Sequence, residues 1–150
     1  MDKEAESFDQ AFGRVERALT HNGLIQKNKK VAMADWKALA GKLGDTFFEM
    51  IRDSGRAKNL INLPPKSLDN QNQQAEWSAQ PSALQNVEAL IIQGVCKVRA
   101  NFLHHEKFAG SEEDIARDRV LLSEGRYVLE QAEANCVWLR SAIQNLTVSP

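Results

Sequence analysis

The chain of 150 residues has a mass of 16.8 kDa, which by length makes residues 1–150 a single domain able to bury a hydrophobic core. Apolar residues make up 43% and charged residues 26%, the proportions of an ordinary globular protein. A net charge of −1 excludes binding to nucleic acid by bulk positive charge, so any phosphate recognition has to be local.

Cysteine usage and hydropathy indicate a cytoplasmic protein with no membrane association. Cys96 and Cys136 lie among apolar residues in helical patterns, so we expect buried free thiols rather than a disulfide. The segment from Met1 to Asp9 is acidic and lacks the apolar run of a signal peptide. No apolar stretch approaches the roughly 20 residues that cross a bilayer.

The first half of the sequence predicts two amphipathic helices. Ser7 and Gln10 have the spacing of a capping box, and apolar residues follow at helical intervals until Gly23 interrupts them. The apolar positions of this helix are Phe8, Phe12, Val15 and Leu19. The stripe of the second helix ends before Gly55 and consists of Trp36, Leu39, Ala40, Leu43, Phe47, Met50 and Ile51.

Residues 56–81 have no periodic apolar pattern and predict a long polar loop. Pro64, Pro65 and the polar run 70–74 cannot form a buried face, and the segment is longer than most connections in compact domains. Loops of this length are usually functional or mobile. We expect Trp77 to hold the loop against the core, with stacking on a nucleic-acid base as the alternative.

The second half predicts two further helices. Ser82 and Gln85 have capping-box spacing, and the stripe that follows is Leu84, Val87, Ile91, Val95, Val98 and Phe102. The acidic residues 112–114 open the last helix, where the helix dipole favours negative charge. Its stripe is Leu122, Leu129, Ala132, Cys136, Leu139, Ile143 and Leu146, long enough that we expect a bend near Gly125 or Asn135.

No alternating strand pattern competes with these helices. The predicted fold class is therefore all-α, a bundle of four to five helices around one core.

Arg99 lies in an unusual place on the predicted third helix. Helical geometry surrounds it with the apolar residues Ile92, Val95, Cys96, Phe102 and Leu103, so it does not project from a solvated face. A charge in such a band needs a partner. One explanation is a salt bridge to an acid on a neighbouring helix. The other is that the band meets a second subunit and Arg99 faces a cleft that receives phosphate.

His104 and His105 follow the last apolar residue and stand where the helix is expected to end. The helix dipole favours a cation at this position, and imidazole is the side chain that titrates near neutral pH. The alternative is that these side chains cap free carbonyl groups. Two adjacent histidines rarely cap together, which favours a functional role for one of them.

The segment Val98-Arg99-Ala100-Asn101-Phe102-Leu103-His104, followed by a polar turn with Lys107, resembles the signature of the HEPN superfamily. Its nuclease members carry an arginine, four to six residues and then a histidine, on a bundle of four or five helices. Some small bacterial members also match at Asn101, Phe102, Leu103 and Lys107, but have glycines where this chain has His105 and Glu106. Arg14 and His21 satisfy the looser pattern without the other matches.

The resemblance implies a homodimer that cleaves RNA without a metal ion or other cofactor and leaves a 2′,3′-cyclic phosphate. His104 would transfer the proton of the attacking 2′-hydroxyl, and Arg99 would stabilise the charge on the phosphoryl oxygens. Asn101, His105 and Lys107 would support the site or bind RNA. Such proteins are often toxins or defence effectors, for which an antitoxin would be a partner. For Lys27, Lys29 and Lys30, solubility is the simpler explanation, with RNA backbone contact as the alternative.

Two other functions remain open on the residues alone. The first is a binding module of the same fold that holds nucleotide or RNA without cutting it, since the carboxylate of Glu106 beside the site would repel phosphate. The second is a helical interaction protein in which Arg99 pairs with an acid inside the core. The sequence has no zinc-ligand spacing, glycine-rich phosphate loop or G-x-S-x-G elbow to suggest other chemistry.

Overall fold

A computed structural model of the protein describes residues 3–105 and 112–148, with side chains for residues 3–102 and 116–146. The fold is mostly helical, as predicted, with one small two-stranded sheet that was not predicted. The elements in chain order are α1 (Lys3–His21), α2 (Trp36–Ser54), α3 (Lys58–Asn62), β1 (Leu68–Gln71), β2 (Gln74–Trp77), α4 (Val87–Ala89), a π-helical stretch (Leu90–Val95), α5 (Cys96–His105), α6 (Glu112–Asn135) and α7 (Val137–Val148).

Helix α1 packs against α5, α6 and α7, and α6 in turn contacts most of the other helices. Its predicted apolar stripe is confirmed: Phe8, Phe12, Val15 and Leu19 are all buried. The predicted capping box is wrong, since Ser7 lies inside the helix, which has already begun at Lys3. The predicted end is confirmed, because Asn22 donates from Nδ2 to the Ala18 carbonyl at 2.7 Å and Gly23 has a left-handed φ of 78°.

Helix α2 begins and ends with side-chain and backbone caps. The Asp35 carboxylate accepts a hydrogen bond from the Ala38 N–H at 3.0 Å, and the left-handed Gly55 closes the helix. Gly44 is non-helical, with φ of 76°, and kinks the helix in the middle. The kink changes the rotational phase of the second half, so Phe48 is buried while the predicted core residue Met50 is 37% exposed.

The segment 56–81 is not the polar loop that the sequence predicted. It forms α3 and an antiparallel hairpin in which Leu68 pairs with Trp77, with left-handed φ values of 51° and 67° at Asn72 and Gln73. Trp77 is 37% exposed, so it is not the main anchor. Buried residues earlier in the segment hold it to the core: Ala57, Leu60, Ile61, Pro64 and Pro65.

A tertiary contact explains why α3 forms in so short a segment. The carboxylate of Glu124 on α6 accepts from the Leu60 N–H and from Asn59 Nδ2, each at 2.8 Å. The carboxylate therefore supplies an acceptor to the Leu60 N–H, one of the first N–H groups of α3, which lack partners within the helix. Nothing in the local sequence of 56–81 reveals this bond.

The third predicted helix runs continuously from Val87 to His105 through α4, the π-helical stretch and α5. The predicted capping box at Ser82 is wrong: the N-cap is Asn86, whose Oδ1 accepts from the Ala89 N–H at 2.8 Å. The chain before it is attached to α3 by the hydrogen bond from the Leu84 N–H to the Ile61 carbonyl at 2.8 Å. Most of the predicted stripe is buried, namely Leu84, Val87, Ile91, Val95 and Val98.

The predicted bend in the last helical region is at Asn135, where α6 ends; a single residue, Cys136, separates it from α7. Gly125, the other predicted position, lies inside α6 and has a packing role: a Cβ there would lie 2.9 Å from Cε2 of the Phe8 ring. Helix α6 opens at Glu112 as predicted, although the acidic side chains 112–114 lie outside the described ones. Within the described ranges, no helix combines the length and apolar composition that crossing a bilayer requires.

Replacing Gly125 by alanine should destabilise the fold. Phe8 is fully buried and the new Cβ would overlap its ring, so we expect overpacking to lower the free energy of unfolding by about 1–3 kcal/mol. Gly41→Ala is the matched control, since a Cβ at Gly41 meets nothing within 4 Å, and we expect that variant to be unchanged or slightly more stable. Urea denaturation followed by circular dichroism compares them; equal stability of the two variants contradicts the packing role of Gly125.

Candidate functional site

The candidate site forms where α5 lies against α1. Arg99 Nε is 3.1 Å from Asp9 Oδ1, and the guanidinium carbon lies 5.7 Å from the centroid of the Phe12 ring. Asp9 and Phe12 are three residues apart and therefore share one face of α1. Of the two explanations for Arg99, the salt bridge to an acid on a neighbouring helix is confirmed.

This ion pair is only partly shielded from water. The Arg99 side chain is 29% exposed and that of Asp9 is 43% exposed. Pairs with this degree of exposure stabilise a fold by about 0–1 kcal/mol, far less than the 3–5 kcal/mol lost when a fully buried pair is broken. The pair therefore fixes the orientation of the guanidinium more than it stabilises the protein.

Arg99 retains hydrogen-bonding capacity that the described residues do not use. Its Nη1 atom is buried and has no acceptor among them. A buried donor without an acceptor costs about 1–3 kcal/mol, and more when it belongs to a charged group. An acceptor brought in by a ligand or by another protein chain would remove that cost.

Arg99 stands on the border of two open clefts. The larger, of about 1170 Å³, lies between α1, the segment before α2 and the α4–α5 helix. The smaller, of about 530 Å³, runs along α1. Four residues line both clefts: Phe12, Glu16, Arg17 and Arg99. The Arg99 side chain therefore borders both clefts, although its Nη1 atom is itself buried.

The wall of the larger cleft is partly apolar. Met33 is 47% exposed and Ile92 is 38% exposed, and both line it. The expected apolar band around Arg99 is thus open near Ile92. The segment between α1 and α2 carries Met33 and folds back on itself, because the Gln26 N–H donates to the Met33 carbonyl at 2.8 Å. Lys27, in the same segment, also lines the cleft.

Asn101 is not brought together with Arg99. Its side chain is buried and donates from Nδ2 to the Lys66 carbonyl at 2.6 Å, which tethers the chain before β1. Two residues correspond to about 200° around a helix, so the two side chains leave α5 on opposite sides. A supporting role for Asn101 in RNA binding stays a prediction.

The structure includes His104 and His105 at the end of α5, but their side chains lie outside the described ones, and Lys107 lies outside the described residues altogether. His104 follows Arg99 by five positions, which on a regular helix is a rotation of about 140° and an advance of about 7.5 Å. The predicted roles of these three residues stay predictions.

Sequence reasoning overlooked three charged residues of the site: Asp9, Glu16 and Arg17. Asp9 and Glu16 flank Phe12 at helical spacings of three and four, so they border the apolar stripe of α1. That position was the available signal, but most amphipathic helices have charges there. Within residues 3–105 and 112–148, no group of three or more His, Cys, Asp and Glu residues is arranged to hold a metal ion.

Cys96 lines the larger cleft, yet its thiol is not set up as a nucleophile. Burial, together with the smaller effect of the negative charge of Glu16, raises the pKa of Cys96 from 9.0 to about 12. Because the thiolate is the reactive form, Cys96 is inert at neutral pH. Both cysteines are free thiols, as predicted; Cys136 is buried as expected, whereas the Cys96 residue is only partly buried.

The raised pKa of Cys96 should make stability depend on pH above 9.0. The unfolded chain then releases the thiol proton before the folded protein does, so the free energy of unfolding falls as pH rises from 9.0 towards 12, by up to about 1.4 kcal/mol per pH unit. Chemical denaturation across this range should show a shallower decline for Cys96→Ala than for Cys136→Ala, which keeps the Cys96 thiol. Identical declines contradict the assignment.

Comparison of the chain with protein-family models, with curated proteins and with solved structures found no match. The relevant arrangement is an oriented, partly exposed guanidinium at the meeting point of two clefts, on the same helix as His104.

Proposed function

We propose that the protein is a metal-independent endoribonuclease of HEPN type that acts as a homodimer. The observation that carries this proposal is the state of Arg99: oriented by Asp9 and Phe12, open to two clefts, and with a buried Nη1 that lacks an acceptor among the described residues. A preoriented guanidinium with free donors is suited to the non-bridging oxygens of a phosphodiester, since it needs no rearrangement as charge develops.

The reaction requires only proton transfer and charge stabilisation. The 2′-hydroxyl loses its proton to His104 and attacks phosphorus, the bond from phosphorus to the 5′-oxygen breaks, and a 2′,3′-cyclic phosphate remains. In a dimer the motif occurs twice, so one imidazole accepts the first proton and the second copy protonates the leaving 5′-oxygen. DNA lacks the nucleophile and is not cleaved.

Asp9 is the positioning residue of this scheme. Its carboxylate engages Arg99 at Nε and not at Nη1, which has no acceptor among the described residues. Its negative charge also keeps the guanidinium in place when no RNA is bound. The cost is weaker attraction for phosphate than an unpaired arginine would have, which suits a site that must release its product.

The exposed apolar residues of the larger cleft support self-association. Met33 and Ile92 offer surface that a second copy would cover, next to the Arg99 that a site shared by two copies needs.

Under this proposal the protein acts in the cytoplasm as a toxin or defence effector, and an antitoxin is a further partner. RNA phosphate contacts by Lys27, at the same cleft, and by Lys107 belong to it as well.

Arg99→Ala and His104→Ala should each abolish RNA cleavage in the presence of EDTA. We expect wild-type protein to produce fragments ending in 2′,3′-cyclic phosphate, identified by mass spectrometry. Arg52→Ala is the control, since Arg52 is exposed on α2 and forms its ion pair with the adjacent Asp53. Full cleavage by Arg99→Ala argues against the nuclease. RNA retained without cleavage by the wild type supports instead the binding module of the same fold.

The Arg99–Asp9 pair favours a second candidate, a helical interaction module in which Arg99 has only a structural role. The two candidates differ in how much stability the pair should supply. Under the nuclease proposal we expect a double-mutant cycle of Arg99→Ala and Asp9→Ala to give a coupling of about 0.2–1 kcal/mol, as for exposed pairs. Losses of about 3–5 kcal/mol in the single variants would favour the structural role.

A further inference from the structure

We propose that Arg17 forms, together with Arg99, a two-arginine site for the phosphate backbone of a single nucleic-acid strand lying along α1. This inference rests on the proposed function only in that the bound strand is taken to be RNA. The site is the smaller cleft, and the two guanidinia stand at the part that it shares with the larger one.

The placement of Arg17 follows from Gly13. A Cβ at Gly13 would lie 3.2 Å from Arg17 Nη1, so the Arg17 side chain folds back along α1 and its guanidinium lies over the glycine. Asp9, Gly13 and Arg17 are spaced four residues apart and form one stripe on the helix. Asp9 holds Arg99 at one end of that stripe, so the second guanidinium lies about one helical turn, roughly 6 Å, further along.

Arg17 is available for a ligand. Among the described residues it has neither an ion pair nor a side-chain hydrogen bond, and it is exposed. Arg14, which lines the same cleft, differs because its Nε lies 3.1 Å from Glu133 Oε1. A glycine at position 13 leaves the space above α1 that the Arg17 guanidinium occupies.

The ion pairs of the smaller cleft distinguish Arg17 from its other two guanidinia. Arg14 pairs with Glu133 and Arg99 pairs with Asp9, so each of these charges is already compensated. Arg17 has no ion pair among the described residues, and the carboxylate of Glu16 also lines the cleft. In a chain whose net charge is −1, Arg17 is therefore the guanidinium of this cleft that a phosphate would meet without breaking an existing pair.

Planar guanidinia one turn apart suit consecutive phosphates of a single strand. Each phosphate neutralised on a single strand contributes about −0.7 to the slope of log affinity against log salt concentration. We therefore expect a shallow salt dependence for the wild type. Removing Arg17 should make it shallower by about 0.7.

The test measures binding without cleavage, by fluorescence anisotropy of a labelled 2′-O-methyl oligonucleotide over a salt series in EDTA. Arg17→Ala should bind more weakly and lose about 0.7 of the slope, while Arg52→Ala should match the wild type. Gly13→Ala is the second variant: its Cβ displaces Arg17, so binding should weaken while the melting temperature stays equal or rises.

The outcomes separate this site from the nuclease. A DNA strand of the same sequence should bind with the same dependence on Arg17, because phosphate contacts do not involve the 2′-hydroxyl. If RNA is never cut but both oligonucleotides bind through Arg17, the two-arginine site stands and the nuclease fails. If Arg17→Ala binds as tightly as the wild type, or if the wild type does not bind, the two-arginine site is wrong, whatever the cleavage assay gives.

Discussion

The contact between Phe8 of α1 and Gly125 of α6 determines where the charged residues of the site lie. Because the ring rests directly on the glycine, α1 approaches α6 more closely than any side chain would permit, and its rotation about its own axis is restricted. The same helix carries Asp9, Phe12 and Arg17. Its position therefore decides which side of Arg99 is paired and which side is open.

The Arg99–Asp9 pair illustrates why proximity of opposite charges does not by itself identify a structural role. Both side chains retain exposed surface, which limits the stabilisation that their attraction supplies. At the same time, Phe12 and the carboxylate restrict the rotamers of a long side chain that would otherwise be mobile. An arginine held in this way is oriented before any ligand arrives, and this is the property that phosphate recognition requires.

The segment 56–81 shows where reasoning from local pattern was insufficient. Its composition resembles a loop, yet Glu124 caps α3 from a distant helix and the left-handed pair Asn72–Gln73 closes the hairpin. The caps of α1 and of the Val87–His105 helix were misplaced for a related reason. Ser7 and Ser82 have the right chemistry, but capping-box spacing occurs often by chance, and the backbone around each residue decides whether it is used.

The sequence by itself determined the helical class, most of the buried stripes, the ends at Gly23 and Gly55, and the unusual position of Arg99 on an apolar face. These features follow from the geometry of a single helix, which repeats within a few residues. Only the tertiary structure decided that Asp9 pairs with Arg99, that Gly13 leaves space for Arg17, and that Asn101 faces away from the cleft. Such relations depend on how separate helices rotate and approach one another. That geometry is set jointly by close glycine contacts, the kink at Gly44 and the π-helical stretch. No local periodicity encodes it.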